Sequence, residues 1–169
     1  MKPHVQILVG PIASGKSTYA KNCAKAGFVI VNDDAIVNAV HGGDYTLYDK
    51  SLKPLYKTVE NTIVTTAIGL GKSVVVDRGT NNRSSSRRRW VGLAHSLDVS
   101  AQCILFDDDG PEVHARRRSE SDGRGHGYDY WLKVAQHHRK HFEQPSFAEG
   151  FDGLVLMDWK LTQDGHYCK

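Results

Sequence analysis

The sequence lacks any long hydrophobic run. Of its 169 residues 40% are hydrophobic, yet no apolar stretch approaches the roughly 20 residues that a bilayer-spanning helix requires. Residues 1–4 lead into a short apolar segment without the length or the small-residue cleavage site of a signal peptide. The composition therefore does not indicate a membrane-spanning or exported protein.

Cysteine is also scarce. Cys23, Cys103 and Cys168 are odd in number and scattered, and they match neither metal-ligand nor disulfide spacing. We expect reduced thiols with no disulfide partner, and a cytoplasmic location. The net charge of +3 is mild, so it permits a polyanionic partner without requiring one.

Five short apolar runs alternate with longer segments of helical spacing. The runs, at residues 5–9, 28–31, 74–76, 103–106 and 154–157, are rich in Val, Ile and Leu without strict alternation, as in buried parallel strands. Helical spacing marks residues 16–26, 51–70, 85–97 and 128–143. This order predicts one α/β domain over residues 1–169, with a central, mostly parallel sheet of about five strands between helical layers.

The strongest motif is GPIASGKS at residues 10–17, which matches GxxxxGK[ST] between an apolar strand and a helix-like run. Backbone N–H groups of such a loop bind phosphate oxygens, and glycine allows their close approach. Lys16 would contact the β- and γ-phosphates of ATP, and the Ser17 hydroxyl would join the Mg²⁺ shell. The expected fold is thus a P-loop NTPase three-layer sandwich. The residues expected to hold the nucleotide are Gly10, Ser14, Gly15, Lys16, Ser17 and Thr18.

Two carboxylates, Asp33 and Asp34, follow the second apolar run. Ligands of open α/β sheets collect at the carboxyl ends of the strands, so this pair should face the γ-phosphate. A carboxylate there can accept the proton of an acceptor hydroxyl and aim its oxygen at phosphorus. Helix capping is the alternative role, and we expect Asp33 as the base with Asp34 nearer the cap.

Hydrolysis of ATP is a weaker interpretation of the same motifs. Residues 73–77 form an apolar strand ending in Asp77, as in ATPases, but Arg78 follows where a water-activating glutamate would be usual. The Asn-Lys-x-Asp type of motif by which GTPases recognise the base is also absent.

Together these motifs resemble the 5′-kinase domain of phage polynucleotide kinase-phosphatase and its bacterial relatives. The similarity spans roughly residues 4–125 and rests on residues 10–18, 32–34, 76–81, 87–90, 93–94, 105–107 and 116–118. It implies ATP and Mg²⁺ as cofactors, a DNA or RNA acceptor, Asp33 as general base and Asp77 on the acceptor side. The further acceptor residues that it implies are Asp34, Arg78 and Asn81, and the implied catalytic residues are Lys16, Asp33 and lid arginines such as Arg116, Arg117 or Arg124.

One departure from this family concerns the acceptor. The family usually carries an arginine three residues after the base, where this chain has Ile36. Phage kinases that phosphorylate hydroxymethylated pyrimidines within DNA, such as 5-hydroxymethyluracil, are a second related group, and the protein would then act in host cytoplasm. Small-molecule kinases, including zeta-type toxin kinases, form a third, and a non-enzymatic nucleotide switch remains an alternative.

Residues 107–127 form the predicted lid, because arginines and glycines there suit a segment that closes over the phosphates. A flexible basic loop is the simpler alternative.

Further along, His137, His138 and His141 lack the carboxylate or third ligand that a metal site would need, so we expect surface or lid contacts. Four arginines could contact a polynucleotide backbone or simply be solvated. They are Arg83, Arg87, Arg88 and Arg89.

Overall fold

A computed structural model of the chain describes residues 2–122 and 125–158. Five strands form one sheet in the order β2-β3-β1-β4-β5, and every neighbouring pair is parallel. The strands are β1 (His4–Val9), β2 (Val29–Asn32), β3 (Val74–Asp77), β4 (Ser100–Phe106) and β5 (Gly153–Met157). The predicted α/β P-loop fold is confirmed, and the sheet is wholly rather than mostly parallel.

Within these described ranges, six α-helices connect and cover the strands. They are α1 (Lys16–Lys25), α2 (Asp33–Val40), α3 (Lys53–Gly69), α4 (Ser84–Ser96), α5 (Pro111–Glu120) and α6 (Tyr128–Lys140). Short 3-10 turns lie at Tyr45–Leu47, Lys50–Leu52, Gly79–Asn82 and Phe147–Glu149. In the part of the chain that the structure describes, no helix has the length and apolarity to cross a membrane.

Each face of the sheet carries its own apolar core. Helices α3 and α4 pack on one face, where Val64, Trp90 and Ala94 meet alternate residues of the strands. Helix α1 packs on the other face, where Tyr19 and Cys23 contact the intervening strand residues. Since both faces are covered, the strands are mostly apolar and show little alternation in the sequence.

The first part of the predicted lid is more ordered than the sequence suggested. Helix α5 occupies Pro111–Glu120, with Pro111 in its first turn and His114 and Ala115 buried. Proline suits a helix start because it needs no hydrogen-bonded N–H there. Arg116, Arg117 and Arg118 are therefore fixed on a helix, and helical rotation points them in different directions.

The cysteines depart in part from the expectation. Cys103 is a buried free thiol. Cys23, however, is disulfide-bonded, so the expectation of reduced thiols without a disulfide partner is wrong at that position. Disulfide formation depends on the distance between cysteines in space, which spacing along the sequence does not give. Cys168 lies outside the described residues.

The register of the sheet brings the chemistry-bearing residues to one edge. Asp77 pairs with Leu8 of β1 on one side and with Asn32 of β2 on the other. The phosphate loop, the acidic pair and Asp77 therefore all emerge at the carboxyl ends of adjacent strands, as expected for a ligand site in this fold.

Two of the four arginines near α4 have structural partners. Arg87 is fully buried, and its guanidinium donates two hydrogen bonds to the Glu149 carboxylate, at 2.7 and 2.6 Å. Arg89 binds Glu60 at 2.6 Å. Neither guanidinium is free to contact a polynucleotide, whereas Arg83 and Arg88 are exposed.

We expect Arg87→Met to lower the free energy of unfolding by about 3 kcal/mol, because it leaves the buried Glu149 charge without its partner. Urea unfolding followed by circular dichroism measures this loss. Arg88→Met is the matched control, since exposed Arg88 should change stability by no more than about 0.5 kcal/mol. Equal losses in both variants would contradict the structural role of Arg87.

Candidate active site

The phosphate loop is held tightly between β1 and α1. Gly10 has φ 151°, and a Cβ there would lie 2.9 Å from Phe106 Cβ, so the position favours glycine. The Gly10 N–H donates to Asn82 Oδ1 at 3.0 Å. Gly15, with φ 100°, is the N-cap of α1. The loop amides therefore precede a helix N-terminus, which is a preformed anion site.

Lys16 folds back onto its own loop. Its Nζ donates to the carbonyl oxygens of Gly10, at 2.9 Å, and of Pro11. Desolvation lowers the pKa of Lys16 to about 8, although the nearby Asp77 carboxylate opposes the shift. The ammonium is thus held beside the loop by bonds that phosphate oxygens could replace.

Asp77 joins the phosphate loop to β2. Its carboxylate accepts a hydrogen bond from Ser17 Oγ at 2.8 Å, while Asn32 Nδ2 donates to its backbone carbonyl at 3.0 Å. An oxygen-only pair of hydroxyl and carboxylate fits Mg²⁺, which usually binds one or two protein oxygens together with phosphates and water. Ser17 and Asp77 would hold the ion between them. The sequence resemblance predicts an acceptor-side role for Asp77, and its hydrogen bond to Ser17 also places its carboxylate beside the predicted Mg²⁺ ligand.

The acidic pair begins α2. Asn32 is the N-cap, and its side chain accepts from the Ala35 N–H at 2.9 Å. The expectation that Asp34 lies nearer the cap is therefore wrong, because Asn32 already fills that role and both aspartates lie in the first turn. Both carboxylates therefore lie at the positive end of the helix dipole.

Asp33 has a direct cationic partner. Arg78 Nε donates to Asp33 Oδ2 at 3.2 Å, and Arg78 Nη1 donates to Glu60 Oε2 at 3.3 Å. Burial raises the pKa of Asp33, the Arg78 charge lowers it, and the charges of Asp34 and Glu60 raise it further. Because burial outweighs the Arg78 charge, Asp33 is a stronger base than a solvated aspartate, and Arg78 still pairs with its negative charge.

A single cavity of about 670 Å³ unites these groups. Lys16 and Ser17 line one side, and Asp33, Asp34 and Asp77 line the strand ends. The wall contributed by α5 and α6 carries cationic and aromatic side chains, namely Arg118, Tyr130, Trp131, His137, His138 and His141. The histidines that the sequence assigned to lid or surface contacts thus face the same space as the phosphate loop.

Other residues from the sequence analysis lie away from this cavity. Asn81 is fully buried and donates to the carbonyls of Leu8 and Val76, so it ties β1 to β3 and does not reach an acceptor. Arg78 lies behind Asp33 rather than in the cavity wall. Arg116 is exposed and outside the wall, and Arg118, two residues further along α5, lines it. Arg124 lies outside the described residues.

Sequence reasoning missed two residues that organise the site. Glu60 is 1% exposed, yet it lies four residues from both Tyr56 and Val64 on α3, so helical periodicity alone would have put it on the buried face. Asn82 shapes the phosphate loop through Gly10, and no sequence signal separates it from its neighbour Asn81. Among the described residues, no group of three or more His, Cys, Asp or Glu side chains could hold a metal ion by itself.

A parallel sheet whose central strand runs into GxxxxGKS and a helix defines the class of P-loop nucleotide-binding proteins. Within that class, residues 5–145 match the AAA domain family. Because this match covers most of the chain, the protein belongs to that family.

Several solved structures share the fold. A candidate kinase from Chloroflexus aurantiacus is 17% identical with a TM-score of 0.68, and the match covers 96% of this chain and 89% of that one. Kti12 from Chaetomium thermophilum, solved with ADP-AlF3, is 14% identical with a TM-score of 0.63, covering 95% and 94%. A chain of the Pnkp1/Rnl/Hen1 RNA repair complex is 20% identical with a TM-score of 0.63, covering 84% of this chain and 47% of that one. At these identities the likeness shows the fold alone.

We expect the affinity for ATP·Mg²⁺ to fall as pH rises through about 8, where Lys16 loses its proton in the free protein. Bound phosphates would raise the pKa of Lys16, so binding takes up a proton and affinity drops by up to about tenfold per pH unit until the higher pKa is reached. Isothermal titration calorimetry between pH 7 and 9.5, in buffers of different ionisation enthalpy, measures both quantities.

The matched control is Lys16→Met, which should bind ATP weakly at every pH and take up no proton near pH 8. Wild-type protein that binds ATP with constant affinity across this range would contradict the assignment of Lys16 to the phosphates.

Proposed function

We propose that the protein is an ATP-dependent kinase that transfers the γ-phosphoryl group to a hydroxyl of a nucleic acid, in the manner of a polynucleotide 5′-hydroxyl kinase. One observation carries the proposal. The cavity that exposes Lys16 and Ser17 also exposes Asp33, a carboxylate held by Arg78 at 3.2 Å. Transfer to a hydroxyl needs a phosphate anchor and a positioned base in the same cavity. A simple nucleotide switch does not need the base.

The transfer follows from this arrangement. Asp33 accepts the proton of the acceptor hydroxyl as its oxygen bonds to the γ-phosphorus, and the bond from that phosphorus to the β–γ bridging oxygen breaks, releasing ADP. Lys16 and the loop amides hold the phosphates in line with the acceptor. Mg²⁺, bound by Ser17, Asp77 and the phosphates, would neutralise charge on the transferring group.

The cavity wall on α5 and α6 would close the site against water. Arg118 reaches the cavity and stacks on Trp131, with its guanidinium carbon 4.7 Å from the ring centroid. We assign to it the lid-arginine role that the sequence resemblance gives to Arg116, Arg117 or Arg124. A cation there would stabilise negative charge on the phosphoryl oxygens in the transition state.

The chemistry of the rim supports a nucleic-acid acceptor. Exposed Arg83 lines the same cavity as Tyr130, His137 and His141. A guanidinium group suits backbone phosphates, and rings suit unstacked bases. The structural likeness to a chain of an RNA repair complex agrees with an acceptor of this kind.

A kinase that acts on a hydroxymethylated pyrimidine within DNA is the second candidate. A separate apolar cavity of about 690 Å³ shares Ser17, Asn32 and Asp77 with the first and is lined by Ile36, Val59 and other aliphatic side chains. An uncharged planar base would suit these walls better than a terminal phosphate would. Ile36, which replaces the arginine usual in the resembling family, contributes to this surface.

We expect Asp33→Asn to bind ATP·Mg²⁺ within about twofold of wild type and to lose transfer by a factor of at least about 10², because the amide cannot accept the proton. Calorimetry measures the binding, and γ-labelled ATP measures the transfer. Asp34→Asn is the matched control in the same helical turn and should retain more activity. Normal transfer by the Asp33→Asn variant would remove Asp33 from the mechanism.

The acceptor is tested with three oligonucleotides and γ-labelled ATP. One has a free 5′-hydroxyl, one a blocked 5′ end, and one a blocked 5′ end with an internal hydroxymethyluracil. Label only on the first would support the polynucleotide kinase, and label on a blocked strand only with the modified base would support the second candidate. If the protein binds ATP but labels none of the three strands, the proposal of a nucleic-acid acceptor is overturned. Sugars and nucleosides would then be tested as acceptors.

A further inference from the structure

A chain of charges runs from the cavity into the interior beside Asp33. Arg78 leaves the end of β3 and binds two carboxylates at once, Asp33 through Nε at 3.2 Å and Glu60 through Nη1 at 3.3 Å. The exposed fraction of the side chain falls along this chain, from 30% at Asp33 to 15% at Arg78 and 1% at Glu60. The base is therefore attached to a buried anion through one arginine.

Glu60 is a fixed anchor because its own charge is compensated twice. Arg89 Nη1 donates to the same Glu60 oxygen at 2.6 Å, and Arg89 is in turn held by Asn61 Oδ1 at 2.7 Å. The guanidinium carbons of Arg89 and Arg78 lie 4.2 and 5.8 Å from the ring centroid of buried Trp90. A buried carboxylate with two cationic partners and a packed ring has little freedom to move.

We propose that Arg78 is the positioning residue of Asp33, and that buried Glu60 holds Arg78 in place from the core. The proposal rests on the proposed function, in which Asp33 is the base. Arg78 does not line the cavity and so would not touch the acceptor; it acts through Asp33.

This attachment has two consequences for the base. The bond to Arg78 engages Asp33 Oδ2 and limits rotation of the carboxylate, and the acceptor hydroxyl would then approach Oδ1. The Arg78 charge also opposes the rise in the Asp33 pKa that burial causes. The charged groups that face Asp33 are Asp34 on its own helix, Arg78 from β3 and Glu60 from α3, and Arg78 is the one that lowers the pKa.

Asp33 thus takes its arginine partner from the residue that directly follows β3. Ile36, one turn after Asp33 on α2, is 6% exposed and packs in the core, so α2 supplies no cation to the base. Arg78 immediately follows Asp77, and the extended backbone at Arg78 (φ −136°, ψ 138°) turns its side chain toward α2 and α3. Arg78, whose presence in the sequence made an ATPase less favoured, is thus the partner of the proposed base.

The experiment compares Arg78→Gln with Arg89→Gln, since both arginines bind Glu60 but only Arg78 binds Asp33. Carbon-13 NMR titration of the nucleotide-free proteins gives the pKa of the Asp33 carboxyl, assigned by its absence in Asp33→Asn. We expect Arg78→Gln to raise this pKa by about one unit and Arg89→Gln to leave it unchanged within about 0.3 unit.

Transfer kinetics give the second readout. In Arg78→Gln, kcat at neutral pH should fall about tenfold and the acidic limb of its pH profile should move upward, with KM for ATP changed less than about twofold. Arg89→Gln should keep the wild-type pH profile even if its melting temperature is lower. An unchanged pKa in Arg78→Gln, or equal shifts in both variants, would overturn the proposal.

Two further variants separate the effect of the Arg78 charge from its effect on the position of Asp33. They also test the proposal if Arg78→Gln does not fold. Arg78→Lys keeps the cation but cannot bridge both carboxylates, so the Asp33 pKa should stay near wild type while kcat falls severalfold. Glu60→Gln removes an anion that raises the Asp33 pKa, so a fall in kcat without a rise in that pKa would identify Glu60 as a positional anchor. A wild-type kcat in Glu60→Gln would overturn the inference that Glu60 holds Arg78 in place.

The two proposals fail differently. If Asp33 were not the base, Asp33→Asn would retain transfer, while the NMR shift in Arg78→Gln could still appear. If Arg78 did not position Asp33, Asp33→Asn would lose transfer, and Arg78→Gln would keep both the wild-type pKa and the wild-type kcat.

Discussion

The hydrogen bond between Ser17 and Asp77 is the contact around which the site is arranged. It links the helix after the phosphate loop to the end of β3 at 2.8 Å, and it forms because parallel register brings Leu8, Asn32 and Asp77 to the same level of the sheet. A slip of one residue would turn the Asp77 side chain to the opposite face. The distance between the phosphate loop and the acidic pair therefore depends on strand pairing.

Charged side chains are concentrated near this edge of the sheet, and several of them form ion pairs with buried partners. Arg87 with Glu149, and Arg78 and Arg89 with Glu60, all lie on or beside the α3–α4 side of the sheet. Buried pairs of this kind contribute little net stability, since desolvation offsets much of the attraction, but they fix geometry. Their value here is that α2, α4 and the turn after β3 are held to one another where the site needs a rigid wall.

Local patterns predicted the strands, most helices and the phosphate loop, because each rests on spacing within a few residues. All five strands lie within three residues of their expected bounds. The partners of Arg87 and Arg78 could not be predicted in the same way, since Glu149 is 62 residues from Arg87 and Asp33 is 45 from Arg78. Glu60 was within reach of periodicity, but a buried glutamate contradicts the usual placement of that residue. Helix α5 was hidden by its polar composition.

The two halves of the site are prepared to different degrees. Lys16 is bonded to carbonyls of its own loop and must exchange those bonds for phosphate oxygens, so the nucleotide side rearranges on binding. Asp33 is already fixed through Arg78, and the proposed base would therefore not have to be ordered during the reaction. A base fixed in this way would treat every hydroxyl alike. Discrimination between acceptors would then come from the walls around it, namely the rings of α6, Arg118 on α5 and the aliphatic surface around Ile36.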